Sequence, residues 1–202
     1  MKIIVIGATG TIGRAVVEAL SGRHEVIQVG NRRGAYQVDL ASPESITKLY
    51  RAVGSFDAVV CAAGLAKFGA LKELTDQDFQ LGLSNKLMGQ VNLVRLGLSA
   101  IAERGSFTLT SGVLSMEPMV GSAAISPVNA AIEGFVRAAA LEMPKGVRVN
   151  VVSPPWVKET MVAMGMGGST GVPAAIVAKA YLAGVEGAMS GAVIDARAFA
   201  KR

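Results

Sequence analysis

The sequence predicts an α/β fold, a Rossmann-like doubly wound parallel sheet in a single compact domain over residues 1–202. Three observations predict it. The chain opens on a β-branched apolar run, Lys2-Ile3-Ile4-Val5-Ile6, that breaks straight into the glycine-rich turn Gly7-Ala8-Thr9-Gly10-Thr11-Ile12-Gly13. Further strand-like runs at 25–29, 36–38, 58–61, 106–110, 148–152 and 192–194 alternate mostly with helical patterns, the signature of a parallel sheet with helices on both faces. A chain of 202 residues with 51% hydrophobic content and mean hydropathy +0.44 has enough apolar material for one real core.

The first run suits a central strand covered on both faces. Glycines at 7, 10 and 13 keep the following turn tight, and the run Ala15-Val16-Val17-Glu18-Ala19-Leu20 has the apolar spacing of a helix packed on a sheet. Free amides at the start of that helix, and its positive dipole end, favour a dinucleotide pyrophosphate, so Gly7, Thr9, Gly10, Thr11, Ile12 and Gly13 form the candidate phosphate site. A Walker-type loop is excluded, since Gly13 is followed by Arg14 and not by Lys-Ser/Thr.

The second strand ends at Val29-Gly30-Asn31-Arg32-Arg33, the region that meets the adenosine ribose in such a sheet. No carboxylate stands there to hold a free 2′-hydroxyl. Two guanidiniums are shaped to clamp a 2′-phosphate, so Asn31, Arg32 and Arg33 favour NADP(H) over NAD(H). Only six residues separate Val29 from Tyr36, too few for a helical crossover, which predicts a clipped connection. Asp39, with Leu40 beside it, either accepts from the adenine amino group or helps Ser42 cap the helix that starts at Pro43. Late in the chain, the glycine-rich stretch 165–171 reads as the remnant of a mobile lid or as a plain surface loop.

The bulk numbers exclude several classes. No apolar stretch approaches the roughly 18 residues of a membrane span. A strand at the start, no cleavage signal and a lone Cys61 make a reducing cytoplasm the expected location. Net charge is +5, but basic residues are scattered apart from Arg32-Arg33 and aromatics make up 5%, so nucleic acid is not an expected partner. A small-molecule substrate is.

With Cys61-Ala62-Ala63-Gly64 after the fourth strand, Ser111 after the fifth and Ser153-Pro154-Pro155-Trp156-Val157 after the sixth, nearly the whole chain resembles the short-chain dehydrogenase/reductase family. Cys61-Ala62-Ala63-Gly64 is similar to that family's Asn-Asn-Ala-Gly segment beside the adenine, and Pro154-Pro155 to its Pro-Gly turn against the nicotinamide. The resemblance adds Ala62, Ala63, Gly64, Pro154, Val157 and Thr160 to the candidate cofactor residues. The clipped link between the second and third strands resembles reductive members of the family's extended branch. By the same likeness, the helices holding 87–98 and 129–141 would pair copies into a homodimer or homotetramer; burial of each stripe on its own sheet would give the same spacing.

The family's catalysis rests on a Tyr-xxx-Lys dyad with an upstream Ser and an Asn on the preceding helix. Here Ile125 stands where Tyr belongs and Asn129 where Lys belongs. Isoleucine has no proton to give. At the family's Asn the alignment admits either Asn85 or Lys86, and the second register would put a cation near Ser111, able to polarise a carbonyl or donate a proton if burial lowered its pKa. Ser111 retains the family's serine role of orienting a substrate oxygen, or acts as a local cap, with Ser115 and Ser126 as weaker relay candidates. Ser111, Asn85, Lys86 and Asn129 are thus the candidate catalytic residues. Two functions stay open: an NADP(H)-dependent oxidoreductase on a small carbonyl or alcohol, or a catalytically silent NADP(H)-binding sensor or interaction protein. Retention of Ser111, Pro154-Pro155 and Thr160 leans towards turnover. The short region after Thr160, which leaves little chain to enclose a substrate, leans the other way.

Overall fold

Strand β1 (Lys2–Ile6) lies inside a seven-stranded, all-parallel sheet whose other members are β2 (Glu25–Gly30), β3 (Tyr36–Gln37), β4 (Phe56–Cys61), β5 (Ile101–Thr110), β6 (Arg148–Ser153) and β7 (Val193–Asp195). Their order is β3-β2-β1-β4-β5-β6-β7. The computed structural model describes residues 1–32 and 34–200. Alternation along β1 sends Ile4 and Ile6 to one face and Ile3 and Val5 to the other, and all four are buried. On the first face lie α2 (Pro43–Val53), α4 (Met88–Gly97) and α5 (Ser126–Ala139); on the second, α1 (Thr11–Ser21) and α7 (Ala174–Glu186). Two apolar layers therefore sandwich the sheet, as the sequence predicts for this fold class.

The connection from β2 to β3 is clipped, as the spacing requires. A link of residues 31–35 cannot carry the chain back along the sheet, so β3 pairs only the last two residues of β2, Val29 with Tyr36 and Gly30 with Gln37. Helix α2 is capped by Ser42, whose hydroxyl accepts from the Ser45 amide at 3.1 Å, with Pro43 in the first turn. Strand β5 starts at Ile101, five residues earlier than the alternation suggests. The intervening Arg104 has φ 60° and Gly105 follows it, so regular pairing with β4 resumes only at Ser106 against Ala58.

One feature the periodicity does not foretell governs the site. Helix α3 (Asp76–Leu81) runs into α4 through a wide π-helical turn, Gly82–Leu87, that carries both Asn85 and Lys86. An extra residue per turn re-aims the side chains it holds, and such turns concentrate at functional sites. After β6, helix α6 (Lys158–Ala163) leads into the glycine-rich stretch. That excursion is stapled at its base: the Lys158 amide donates to the Val172 carbonyl and the Val172 amide to that of Trp156, both at 2.9 Å. Among the described residues, no helix is long and apolar enough to cross a membrane.

Candidate active site

A cleft of about 530 Å³ opens at the carboxyl ends of β1, β2 and β4, where strand order reverses between β1 and β4. That switch point is where open parallel sheets bind ligands. Gly7, Thr9 and Gly10 line it from β1, Asn31 from β2, Asp39 and Leu40 from beyond β3, Ala62, Ala63 and Gly64 from beyond β4, and Asn85 from the π turn. Ten of the sequence candidates are thereby brought together.

Gly7 adopts φ +81°, and a Cβ there would lie 2.7 Å from the Ala62 carbonyl oxygen. Its amide and that of Ala8 both donate to the Val29 carbonyl, which ties the turn to β2. Gly10 precedes the first turn of α1 with no side chain capping the helix start, and no acidic residue stands in that turn. Thr11 and Ile12 are in this first turn, where the leading amides lack intrahelical acceptors. Gly13 serves packing: a Cβ there would stand 1.9 Å from the Gly7 carbonyl oxygen, so only glycine lets α1 approach the turn. Asn31 donates to the Val38 carbonyl at 3.2 Å, and Arg32 is exposed at the end of β2. Arg33 lies outside the described residues. Asp39 accepts from the Ala41 amide at 3.0 Å while Ser42 alone caps α2, so its carboxylate belongs to the cleft edge and not to the cap.

The second group gathers past Gly64, at the ends of β5 and β6. Lys86 runs its stem along Gly64, whose absent Cβ would lie 2.6 Å from the Lys86 Cγ. Its ammonium donates to the Ser111 carbonyl at 2.9 Å and to the Asn129 side-chain oxygen at 2.7 Å. Asn129 is buried and donates to the Gly112 carbonyl. Asn85, its neighbour in the π turn, accepts from the Leu65 amide at 2.9 Å and so fixes the loop after β4. Burial lowers the Lys86 pKa to about 8, against a smaller opposing pull from Cys61. Cys61, fully buried at the end of β4, is pushed up to about 12 by the same desolvation.

Ser111 is placed differently from the expectation that its hydroxyl faces a substrate. The side chain is 2% exposed and donates to Glu133 at 2.9 Å, because the strand's alternation turns it towards α5. Ser115 donates to the same carboxylate oxygen at 2.6 Å. Ser126 donates to the Ser122 hydroxyl at 2.9 Å and takes no part in this cluster. Glu133, 3% exposed, is a site residue that sequence reading missed. The signal was there: Val128, Ile132 and Val136 mark the inward stripe of α5, and residues 129 and 133 sit on its flank. Gln90 was missed as well. Its amide bridges the Thr110 backbone N–H and carbonyl and donates to the Lys86 carbonyl, which locks the π turn to the end of β5.

Beyond β6, the Pro154 carbonyl accepts from the Val113 amide, and Val157 and Thr160 frame the start of α6 on the same side. Phe68 and Trp156 meet edge to face with centroids 6.3 Å apart, giving this end an aromatic border. Gly64 joins the two groups, since it lines the cleft with the glycine turn and also packs on the Lys86 stem.

The family model described as enoyl-(acyl carrier protein) reductase matches residues 10–189. Hydroxynaphthalene reductase arp2 of Aspergillus fumigatus is 31% identical over 160 residues, covering 77% of this chain and 56% of the relative. Versicolorin reductase stcU of Emericella nidulans is 30% identical over 183 residues, covering 78% and 69%. This chain thus spans little more than half of the first relative's length and about seven tenths of the second's. Among solved structures, protein lin1944 from Listeria innocua is 42% identical with a TM-score of 0.93 over 96% of this chain and 98% of that one. A small-chain dehydrogenase in complex with NADPH is 27% identical with a TM-score of 0.85 over 96% and 95%.

Proposed function

Since the chain belongs to the short-chain dehydrogenase/reductase family, we propose that it is an NADP(H)-dependent oxidoreductase acting on a small carbonyl or alcohol substrate. The observation that carries this reading is Lys86. Holding an ammonium behind Gly64, a residue of the cleft wall, costs desolvation that a protein which only binds nucleotide gains nothing by bearing. Thr9, Gly10, Thr11 and Ile12 would hold the pyrophosphate on a turn that Gly7 and Gly13 keep tight, Asn31 with Arg32 and Arg33 the 2′-phosphate, Asp39, Leu40 and Ala62–Gly64 the adenosine, and Pro154, Val157 and Thr160 the carboxamide. When bound, the cofactor supplies or accepts a hydride. Asn85 then keeps the loop after β4 in place, while Ser111 acts through its backbone carbonyl, its hydroxyl being committed to Glu133. The NADPH complex of a structural neighbour supports the choice of nucleotide. The names of the two fungal relatives, together with the Phe68–Trp156 border, direct a substrate search towards aromatic carbonyls. Assembly as a homodimer or homotetramer would use the groove between α4 and α5, lined by Val94, Leu98, Phe135 and Met143.

Ile125 in place of the family tyrosine and the inward turn of Ser111 favour one other reading, a catalytically silent NADP(H)-binding sensor or interaction protein. Titration with NADPH and NADH, followed by nicotinamide fluorescence, tests the nucleotide reading. NADPH should bind tighter than NADH, and Arg32→Ala/Arg33→Ala should weaken NADPH selectively. Failure of both nucleotides to bind overturns it. Binding without NADPH oxidation across ketones, aldehydes and quinones would leave the silent reading in its place.

A further inference from the structure

We propose that Lys86 delivers the proton to the substrate oxygen, with Asn129 as the positioning residue that aims it. The inference rests on the oxidoreductase reading and names the acid of that site. An ammonium carries three N–H bonds. Two are taken, by the Ser111 carbonyl and the Asn129 side-chain oxygen, and among the described residues no third acceptor stands in reach. Both acceptors lie on the β5 and α5 side, so tetrahedral geometry sends the remaining N–H away from them. The stem that leads to it runs along Gly64, which lines the cleft.

The partners are also of the right kind. Lysine only donates, which fixes the Asn129 amide with its oxygen towards Nζ and its nitrogen towards the Gly112 carbonyl. Neither acceptor is charged. The carboxylate on that side, Glu133 of α5, accepts from the hydroxyls of Ser111 and Ser115 and pairs with Arg137 at 3.6 Å, so among the described residues no counter-ion holds the Lys86 proton. From β4, Cys61 faces Lys86, and behind it Tyr181 of α7 bonds the Thr110 hydroxyl; burial raises both groups far above neutral pH, so they stay uncharged. An ammonium held by neutral dipoles and disfavoured by burial gives up its proton near neutral pH.

The step balances. As hydride adds to the carbonyl carbon, the C–O π electrons move to oxygen, which takes the Nζ proton. Lys86 is left as a neutral amine and regains a proton from solvent. Among the described residues neither other family position competes for the role, because Ile125 has no proton and that of Ser111 is directed at Glu133.

The test uses wild type, Lys86→Met, Lys86→Arg and Asn129→Asp. NMR of ε-carbon-labelled lysine, without cofactor, should show one resonance titrating near pH 8 that vanishes in K86R and K86M and shifts to higher pH in N129D. In NADPH-dependent reduction of 4-nitrobenzaldehyde, K86M should lower kcat about 10²–10⁴-fold, the usual contribution of general acid catalysis. The wild-type kcat should fall above about pH 8, and that break should move up in N129D. A Lys86 resonance at ordinary lysine pH, or an unchanged kcat in K86M, overturns the assignment of Lys86 while leaving the oxidoreductase reading intact. Loss of nucleotide binding by wild type, or binding with no NADPH oxidation on any carbonyl, would overturn the oxidoreductase reading itself.

Discussion

Substituting Gly13 by alanine adds one methyl group where the fold has no room for it. Its Cβ would stand 1.9 Å from the Gly7 carbonyl oxygen and 2.6 Å from the carbonyl carbon, whereas real Cβ contacts keep at least 3.0 Å. The obstacle is backbone, pinned by the bonds of the Gly7 and Ala8 amides to Val29, so it cannot swing aside. Helix α1 must retreat by about 1.1 Å, the difference between 3.0 and 1.9 Å. Overpacking of this kind costs typically 1–3 kcal/mol. A gap of that size also forfeits roughly a quarter to a half of the contact energy of Val16 and Leu20, which α1 buries completely, another ~1–3 kcal/mol. The better helix propensity of alanine returns about 1 kcal/mol. A net loss of about 3 kcal/mol corresponds to a melting temperature lower by ~6–12 °C for a chain of this size. Because the displaced helix start is also the candidate pyrophosphate site, NADPH affinity should fall along with it. Differential scanning fluorimetry and nucleotide titration read both effects. A variant melting within about 2 °C of wild type and binding NADPH as before would refute the close approach of α1 to the turn.

Four more outcomes follow from the same geometry. Gly134→Ala should raise the melting temperature by ~2–4 °C, since Gly134 sits inside α5 with nothing within 4 Å of a new Cβ and alanine gains about 1 kcal/mol there; a lower melting temperature in the same scan would contradict it. Glu133→Ala should cost about 1–3 kcal/mol in urea unfolding by stripping the buried Ser111 and Ser115 hydroxyls of their acceptor, and Glu133→Gln, which keeps an acceptor, less than that. The Lys86 pKa is lower folded than unfolded, so the unfolded chain binds the extra proton between about pH 8 and the ordinary lysine value; the stability of wild type relative to Lys86→Met should therefore rise across that window. Native protein should leave Cys61 unmodified by a thiol reagent at pH 8 and release one equivalent on denaturation, because the thiol is buried and its pKa is pushed up to about 12.

Much of this architecture was legible in the sequence because it depends on period and punctuation. The β-branched run 2–6, the glycines after it and the short spacing between Val29 and Tyr36 each have one mechanical solution, and the sheet adopts it. The first residues of β5 were not legible, since the left-handed Arg104 interrupts the alternation that marks a strand. At the site, the turn glycines were readable from their spacing, and the residues around Gly64 from the resemblance to the family. The choice between Asn85 and Lys86 was not, because a π-helical turn leaves no pattern in the residues it contains; both proved to have partners, Asn85 at Leu65 and Lys86 at Ser111 and Asn129. The direction of Ser111 escaped for a related reason. A hydroxyl at a strand end is equally at home facing solvent or a neighbouring helix, and only the buried Glu133 decides between them.

The clipped link that leaves β3 two residues long has a bearing on how this chain survives at high concentration. β7, at the opposite border, is three residues long, so the sheet tapers at both ends from its longest strand, β5. A full-length border strand would present a row of unsatisfied amides and carbonyls on which another copy could add strand to strand. A chain with mean hydropathy +0.44 would be poorly protected from such templating. Tapered borders remove most of the template, so lengthening the border strand by insertion at 31–35 would be an aggregation hazard even where the fold tolerates it.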